Sequence, residues 1–190
     1  MKQFQLGRIK WFSRTFITLI LAITPMFASA QIFTGLSVNA GSSFEGMGYS
    51  SSGAGLKLSL GYEIQDWIEI DFQAQRYWLN ALSYKHLNSL AINTKIIPFS
   101  TAIKPYLGFA GGIGKLSSGN IKLQDQVIVF SFETWQLKPH IGLLMDSGLI
   151  EGLLVDFNLF YESNKFQDFN GTSFNLYGVN LGLVYKITLK

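Results

Sequence analysis

Apolar and polar residues alternate with a period of two along most of the chain after residue 30, and this pattern is typical of β-strands. The clearest case is the segment 177–189, where Tyr177, Val179 and Leu181 begin the apolar phase and glycine and asparagine stand between them. Alternation recurs in seven further segments, around residues 32–40, 54–64, 68–75, 89–96, 107–114, 135–143 and 155–161. The sequence therefore predicts eight strands.

The predicted strands are about ten residues long, and a tilted strand of about 9–11 residues crosses a bilayer. Their connections alternate in length, with short ones near 65–66, 99–104 and 146–152 and longer polar ones near 42–53, 78–88, 115–130 and 162–172. Tight turns at one end and longer loops at the other are typical of membrane barrels. We therefore predict an all-β fold, an eight-stranded antiparallel up-and-down transmembrane β-barrel.

The composition of the polar phase indicates which face of the barrel meets lipid. It is rich in glycine, at positions 55, 61, 108, 112, 114, 142, 178 and 182. Small residues fit the narrow interior of an eight-stranded barrel, whereas a soluble barrel would carry charged residues outside and apolar residues inside. We therefore expect the bulky apolar phase to face outward, led by Leu58, Ile70, Phe109 and Leu181.

Aromatic residues lie near the ends of the predicted strands, as in the interfacial girdles of membrane barrels. They are Tyr62, Trp67 and Tyr185 towards the short turns, and Trp78, Trp135, Tyr161 and Tyr177 towards the loops.

The positive charge of the chain is concentrated at its amino terminus. The formal net charge is +3, but residues 1–30 contain four basic residues and no acidic one. This basic start precedes an apolar run, Phe16–Phe27, and the small residues Ala28-Ser29-Ala30, which together indicate a secretory signal peptide cleaved after Ala30. We predict a signal peptide at 1–30 and a single β-barrel domain at 31–190. The remaining charge of −1 argues against a nucleic-acid partner.

Four features carry a family resemblance: the ending Ala28-Ser29-Ala30, the hairpin Leu60–Trp67, the glycine-rich run Lys104–Lys115 and the closing segment Gly178–Lys186. The chain resembles the small eight-stranded outer-membrane β-barrel family, the OmpA/OmpX-like barrel domains of Gram-negative bacteria, over residues 31–190. The resemblance implies a location in the cell outer membrane, with outer-membrane lipids and the barrel insertion machinery as partners. Family members typically end in Phe, and this chain ends in Leu189-Lys190.

Several charged residues fall in the phase predicted to face the lumen. They are Lys57, Lys95, Lys138 and Lys186, with Glu69, Asp71 and Asp156. Isolated buried charges are costly, so we expect them to pair across the lumen. Because eight strands leave an interior that side chains just fill, a plug of salt bridges is favoured over a narrow, porin-like ion path.

Residues suited to catalysis are few. The absence of cysteine excludes thiol catalysis, disulfides and Cys-ligated metals. His140 falls in the lumen phase, and only His86, with Glu162 and Ser163 from the fourth loop, offers a set that a lipid A-modifying barrel enzyme could use. The glycines near Lys115 lack phosphate-loop spacing. We predict no catalytic, cofactor or metal site.

The sequence therefore predicts a non-enzymatic integral outer-membrane protein with an envelope-structural role, or a role in binding a surface ligand through its loops. Two alternatives remain open at this point. One is a lipid A-modifying enzyme with the same fold, and the other is a soluble periplasmic barrel that binds an apolar ligand.

Overall fold

The computed structural model describes residues 31–44, 50–80, 84–99, 101–118, 121–123, 126–167 and 173–187. The predicted signal peptide and its cleavage site lie outside the described residues. Ten strands are present in the described part of the chain: β1 (Gln31–Phe44), β2 (Ser50–Gln65), β3 (Ile68–Leu79), β4 (Tyr84–Ile96), β5 (Ile103–Ser118), β6 (Ile121–Leu123), β7 (Gln126–Ile128), β8 (Ser131–Asp146), β9 (Leu153–Phe166) and β10 (Ser173–Ile187).

Eight of these strands form a closed antiparallel barrel in the order β1-β2-β3-β4-β5-β8-β9-β10, and β10 pairs with β1 to close it. The closing ladder runs from the pair Ile32 and Ile187 to the pair Phe44 and Asn175. The strands β6 and β7 form a separate small hairpin in the connection between β5 and β8. The predicted eight-stranded barrel is confirmed, and no barrel edge is left without a partner strand.

The barrel strands are longer than the ten residues expected from the sequence, at 12–16 residues each. The additional residues come from segments that we had assigned to loops. Ser43 pairs with Ser51, for example, inside the predicted first loop. Such polar residues continue the hydrogen-bonded ladder beyond the apolar stretch, so alternation of hydropathy underestimates strand length. The β6–β7 hairpin was also missed, because three-residue strands have too few residues to show a period.

The faces of the barrel follow the predicted phases. Leu58, Ile70, Phe109 and Leu181 are 59%, 37%, 51% and 52% exposed, and they belong to a continuous apolar outer surface. The girdle aromatics Trp67, Trp78, Trp135, Tyr161, Tyr177 and Tyr185 are also exposed. No helix among the described residues is long and apolar enough to cross a membrane.

The interior contains two apolar clusters separated by polar residues. The outer plug lies towards the loop end and comprises Tyr77, Leu79, Leu87, Leu116, Phe160, Phe166, Phe174 and Leu176, with Phe132 packed against it. The inner plug lies at the short-turn end and comprises Phe33, Ile97, Tyr106, Leu144, Leu154 and Val184. Apolar side chains therefore interrupt the polar lining of the lumen near both of its ends.

Two adjacent glycines on β5 provide a test of which face is tightly packed. A Cβ atom added at the inward-facing Gly112 would lie 2.0 Å from the Leu90 carbonyl oxygen, whereas one added at Gly111 would meet nothing within 4 Å. We expect Gly112→Val to lower the free energy of unfolding by about 1–3 kcal/mol, because β4 and β5 would have to separate.

The matched control is Gly111→Val, which we expect to change the unfolding free energy by less than about 0.5 kcal/mol. Urea unfolding in detergent micelles or lipid vesicles measures both variants. Equal destabilisation by the two substitutions would contradict the assigned faces.

Candidate functional site

The centre of the lumen holds nine charged side chains, four lysines and five carboxylates, all contributed by the inward phase of the strands. The lysines come from four different strands, and the carboxylates come from β2, β3 and β9. They are Lys57, Lys95, Lys138 and Lys186, with Glu63, Glu69, Asp71, Asp156 and Glu162. Because their charges nearly balance, the interior carries a formal net charge of only −1.

The layer next to the inner plug is organised around Lys95 and Lys186. The Lys95 amine lies 3.3 Å from Asp156 and 3.6 Å from Glu69. Lys186 lies 2.8 Å from the same Glu69 and also pairs with Glu63. The Tyr106 hydroxyl donates a hydrogen bond to Asp156 at 2.5 Å. These contacts join β2, β3, β4, β5, β9 and β10 across the lumen.

The layer nearer the outer plug is organised around Glu162. Its carboxylate lies 3.3 Å from the Lys138 amine and accepts hydrogen bonds from the Gln75 and Asn164 side-chain amides at 3.2 and 3.0 Å. Lys138 in turn donates to the Gln75 side-chain oxygen at 2.8 Å. These charge-assisted contacts satisfy both carboxylate oxygens of Glu162.

Two of the lysines also contact the apolar plugs through aromatic rings. The Lys138 amine lies 4.3 Å from the centroid of the Phe160 ring, and the Lys95 amine lies 4.9 Å from that of Tyr106. Cation–π contacts of this kind are attractive, and more so when desolvated. The charged core and both plugs therefore form one packed interior.

Pro139 has no backbone N–H to donate to a neighbouring strand, and the ladder between β8 and β9 is interrupted at this position. Pairing holds up to Leu137 and resumes at His140, so Lys138 and Pro139 have no register partner on β9. The ion pair between Lys138 and Glu162 spans this interruption. A side-chain contact thus joins the two strands where the backbone ladder does not.

The seven lumen charges expected from the sequence are all on the inside, and cross-lumen ion pairing is confirmed for Lys95 and Lys186. Lys138 pairs instead with Glu162 on the neighbouring strand β9, and among the described residues no carboxylate lies within 4 Å of the Lys57 amine. Two members of the network were missed. Glu63 stands in the same alternating phase as Lys57, so a strict reading of the period would have found it. Glu162 was assigned to the fourth loop, but β9 continues through it to Phe166.

The structure does not bring the three catalytic candidates together. Glu162 is fully buried in the lumen and held by Lys138, whereas Ser163 follows it and therefore points to the opposite face of β9. His86 lies on β4, and β5 and β8 separate it from β9. His140 is half-buried inside, with its ring edge-on to Tyr106 at a centroid distance of 5.7 Å. Within the described ranges, no three His, Asp or Glu side chains form a group suited to a metal ion.

Comparisons with solved structures place this architecture among known barrels. Neisserial surface protein A (NspA) matches with a TM-score of 0.66 and 18% identity over 83% of this chain and 99% of that one. The attachment invasion locus protein Ail of Yersinia pestis, in complex with the heparin analogue sucrose octasulfate, matches with a TM-score of 0.56 and 14% identity over 84% and 99%. The chain has the fold of the small eight-stranded outer-membrane β-barrels.

This outer-membrane barrel fold also occurs in an enzyme. The outer membrane enzyme PagL matches with a TM-score of 0.52 and 15% identity over 78% of this chain and 97% of that one. No protein-family model and no curated protein matches the sequence. Identities this low show the fold alone, so the role of this barrel has to be argued from its own residues.

Proposed function

We propose that the chain is a non-enzymatic integral protein of the cell outer membrane, with a role in envelope structure or in binding a surface ligand through its loops. The observation that carries this proposal is the reversal of the soluble pattern, with apolar residues outside and paired charges inside. A soluble barrel for an apolar ligand would need the opposite arrangement. Outer-membrane lipids are then the partners of the outer surface, and the barrel insertion machinery is a partner in assembly.

The filled lumen supports a structural barrel over a porin-like one. Ions crossing it would have to pass the apolar side chains of both plugs as well as the paired charges. A constriction lined by apolar side chains excludes water and opposes conduction. The interior is therefore better suited to stabilising the barrel than to conducting solutes.

We expect no steady conductance when the purified protein is inserted into planar lipid bilayers. The reason is that apolar side chains of both plugs occupy the lumen in the described part of the chain. A large water-filled porin serves as the positive control for insertion and recording. Steady openings of the native protein that change in size when Lys138 is replaced by glutamine would contradict the closed-lumen proposal.

The alternative is a lipid A-modifying enzyme, and PagL shows that this fold can belong to an enzyme. His86, Ser163 and Glu162 are not brought together in the structure, so their arrangement does not favour this alternative. Mass spectrometry of lipid A from cells that express the protein tests this alternative directly. The proposal expects identical lipid A with native protein, with His86→Ala and with no protein. A modification that appears only with the native protein and is lost in His86→Ala would overturn the non-enzymatic proposal.

A further inference from the structure

The outward face of the barrel carries a groove of about 660 Å³ that runs from β1 across β2, β3, β4 and β5 to β8. Its floor includes Ala74, whose register neighbours are the larger Leu58 on β2 and Leu90 on β4. Leu90 in turn pairs with Ile113 on β5. One small side chain in a row of large ones leaves a notch at Ala74. We call the whole groove, including this notch, the outer groove.

The end of the outer groove nearer the loops is mixed, because Leu56 and Trp78 line it together with polar residues. A second row of register neighbours lines it: Arg76, Asn88, Lys115 and Glu133. Each of these residues stands two positions nearer the loops than a member of the apolar row. The outer groove therefore gains polar and charged side chains along the direction in which an outer-leaflet lipid changes from acyl chain to headgroup.

The end of the outer groove nearer the loops is cationic. Neither Arg76 nor Lys115 has a carboxylate within 4 Å in the described part of the chain, and the Arg76 guanidinium lies 5.5 Å from the centroid of the Trp78 ring. Glu133 is the register partner of Lys115, so the net charge of the row is +1. With neighbouring strands about 4.8 Å apart, the backbones of Arg76 and Lys115 are separated by about 10 Å. Both side chains are long enough to reach one anionic group between them.

We propose that the outer groove binds one lipid with a phosphate-bearing headgroup. Its acyl chain lies in the notch at Ala74, between Leu58 and Leu90, and its phosphate contacts Arg76 and Lys115. The order of apolar and polar residues fits a lipid, and the positive charge fits an anionic headgroup. This inference rests on the proposed location in the outer membrane and adds a specific lipid site to it.

Native mass spectrometry of the folded protein, released from detergent micelles, tests the proposal. The probes are dioleoyl phosphatidylglycerol, dioleoyl phosphatidylcholine and lipid A, each titrated separately. We expect either anionic lipid to bind roughly fivefold more tightly than phosphatidylcholine, as one net cation at a membrane surface allows. The tighter of the two anionic lipids identifies the source of the phosphate.

Two sets of variants test the cationic residues and the apolar notch of the site separately. The double variant Arg76→Gln/Lys115→Gln should lose the preference for anionic lipid, and Glu133→Gln should increase it. Ala74→Phe fills the notch and should weaken the binding of all three lipids by a similar factor.

Matched controls separate the outer groove from general effects. Lys85→Gln/Lys165→Gln removes the same charge from exposed positions outside the groove, and Ala40→Phe enlarges an exposed residue on β1 that does not line the groove. Both controls should bind as the native protein does. Equal binding of phosphatidylglycerol and phosphatidylcholine by folded native protein, or the same loss in the charge control, would overturn the proposed lipid site. A protein that never inserts into membranes would instead contradict the proposed function.

Discussion

Replacing Lys95 by methionine is expected to lower the free energy of unfolding by about 3–5 kcal/mol, the cost of leaving buried carboxylates without their cation. Lys95 lies within 4 Å of both Asp156 and Glu69. Glu69 retains Lys186 in the variant, but no cation among the described residues remains within 4 Å of Asp156, which keeps hydrogen bonds from Tyr106 and Asn158. Methionine preserves the length and the apolar contacts of the side chain, so the loss reports on charge.

Lys57→Met is the matched control for Lys95→Met. Lys57 is buried in the same lumen, but no carboxylate lies within 4 Å of its amine among the described residues. Removing this cation costs no ion pair and relieves a desolvated charge, so we expect a neutral or stabilising effect. Reversible urea unfolding followed by tryptophan fluorescence measures both variants. A Lys57→Met variant as unstable as Lys95→Met would show that the ion pairs do not determine stability.

Replacing Leu181 by arginine is expected to lower the free energy of unfolding in lipid vesicles by about 2–4 kcal/mol, the cost of a cation on the lipid face at the bilayer midplane. Leu181 is exposed near the middle of β10. The same substitution on the surface of a soluble barrel would cost little, because water would solvate the charge. The size of the loss in unfolding free energy therefore indicates whether lipid or water surrounds the outer face.

Ile187→Arg is the control for the effect of depth. Ile187 has the same alternating phase as Leu181 on the same strand, but it is the last residue of β10. A charge there reaches the interface, and we expect a loss of only about 0–1 kcal/mol. Equal losses at the two positions would contradict a membrane-spanning β10.

The faces of the strands could be predicted from the sequence because alternation is a local property of an extended chain. Leu58 and Lys57 point to opposite sides whatever their strand pairs with, and the glycine-rich phase indicated which side was narrow. The lumen charges on β2, β3, β4, β8, β9 and β10 followed from the same period. The fold class and most of the charged residues that face the lumen could therefore be predicted from the sequence.

The partners inside the lumen could not be predicted, because they depend on register between strands far apart in the chain. Lys186 pairs with Glu63 across 123 positions, and no local pattern connects them. The two plugs could not be predicted for a different reason. Phe33 and Phe160 stand in the phase that is otherwise polar, so their burial inside the barrel appears only when the strands close.

The most direct test of a membrane-spanning barrel is whether its outward-facing residues contact lipid. The native chain contains no cysteine, so Leu181→Cys provides a single site for a fluorescent label on the folded protein in lipid vesicles. We predict strong quenching by phospholipids brominated along their acyl chains and little quenching by iodide in the water. Quenching by iodide together with no effect of brominated lipid would contradict a barrel that spans the membrane.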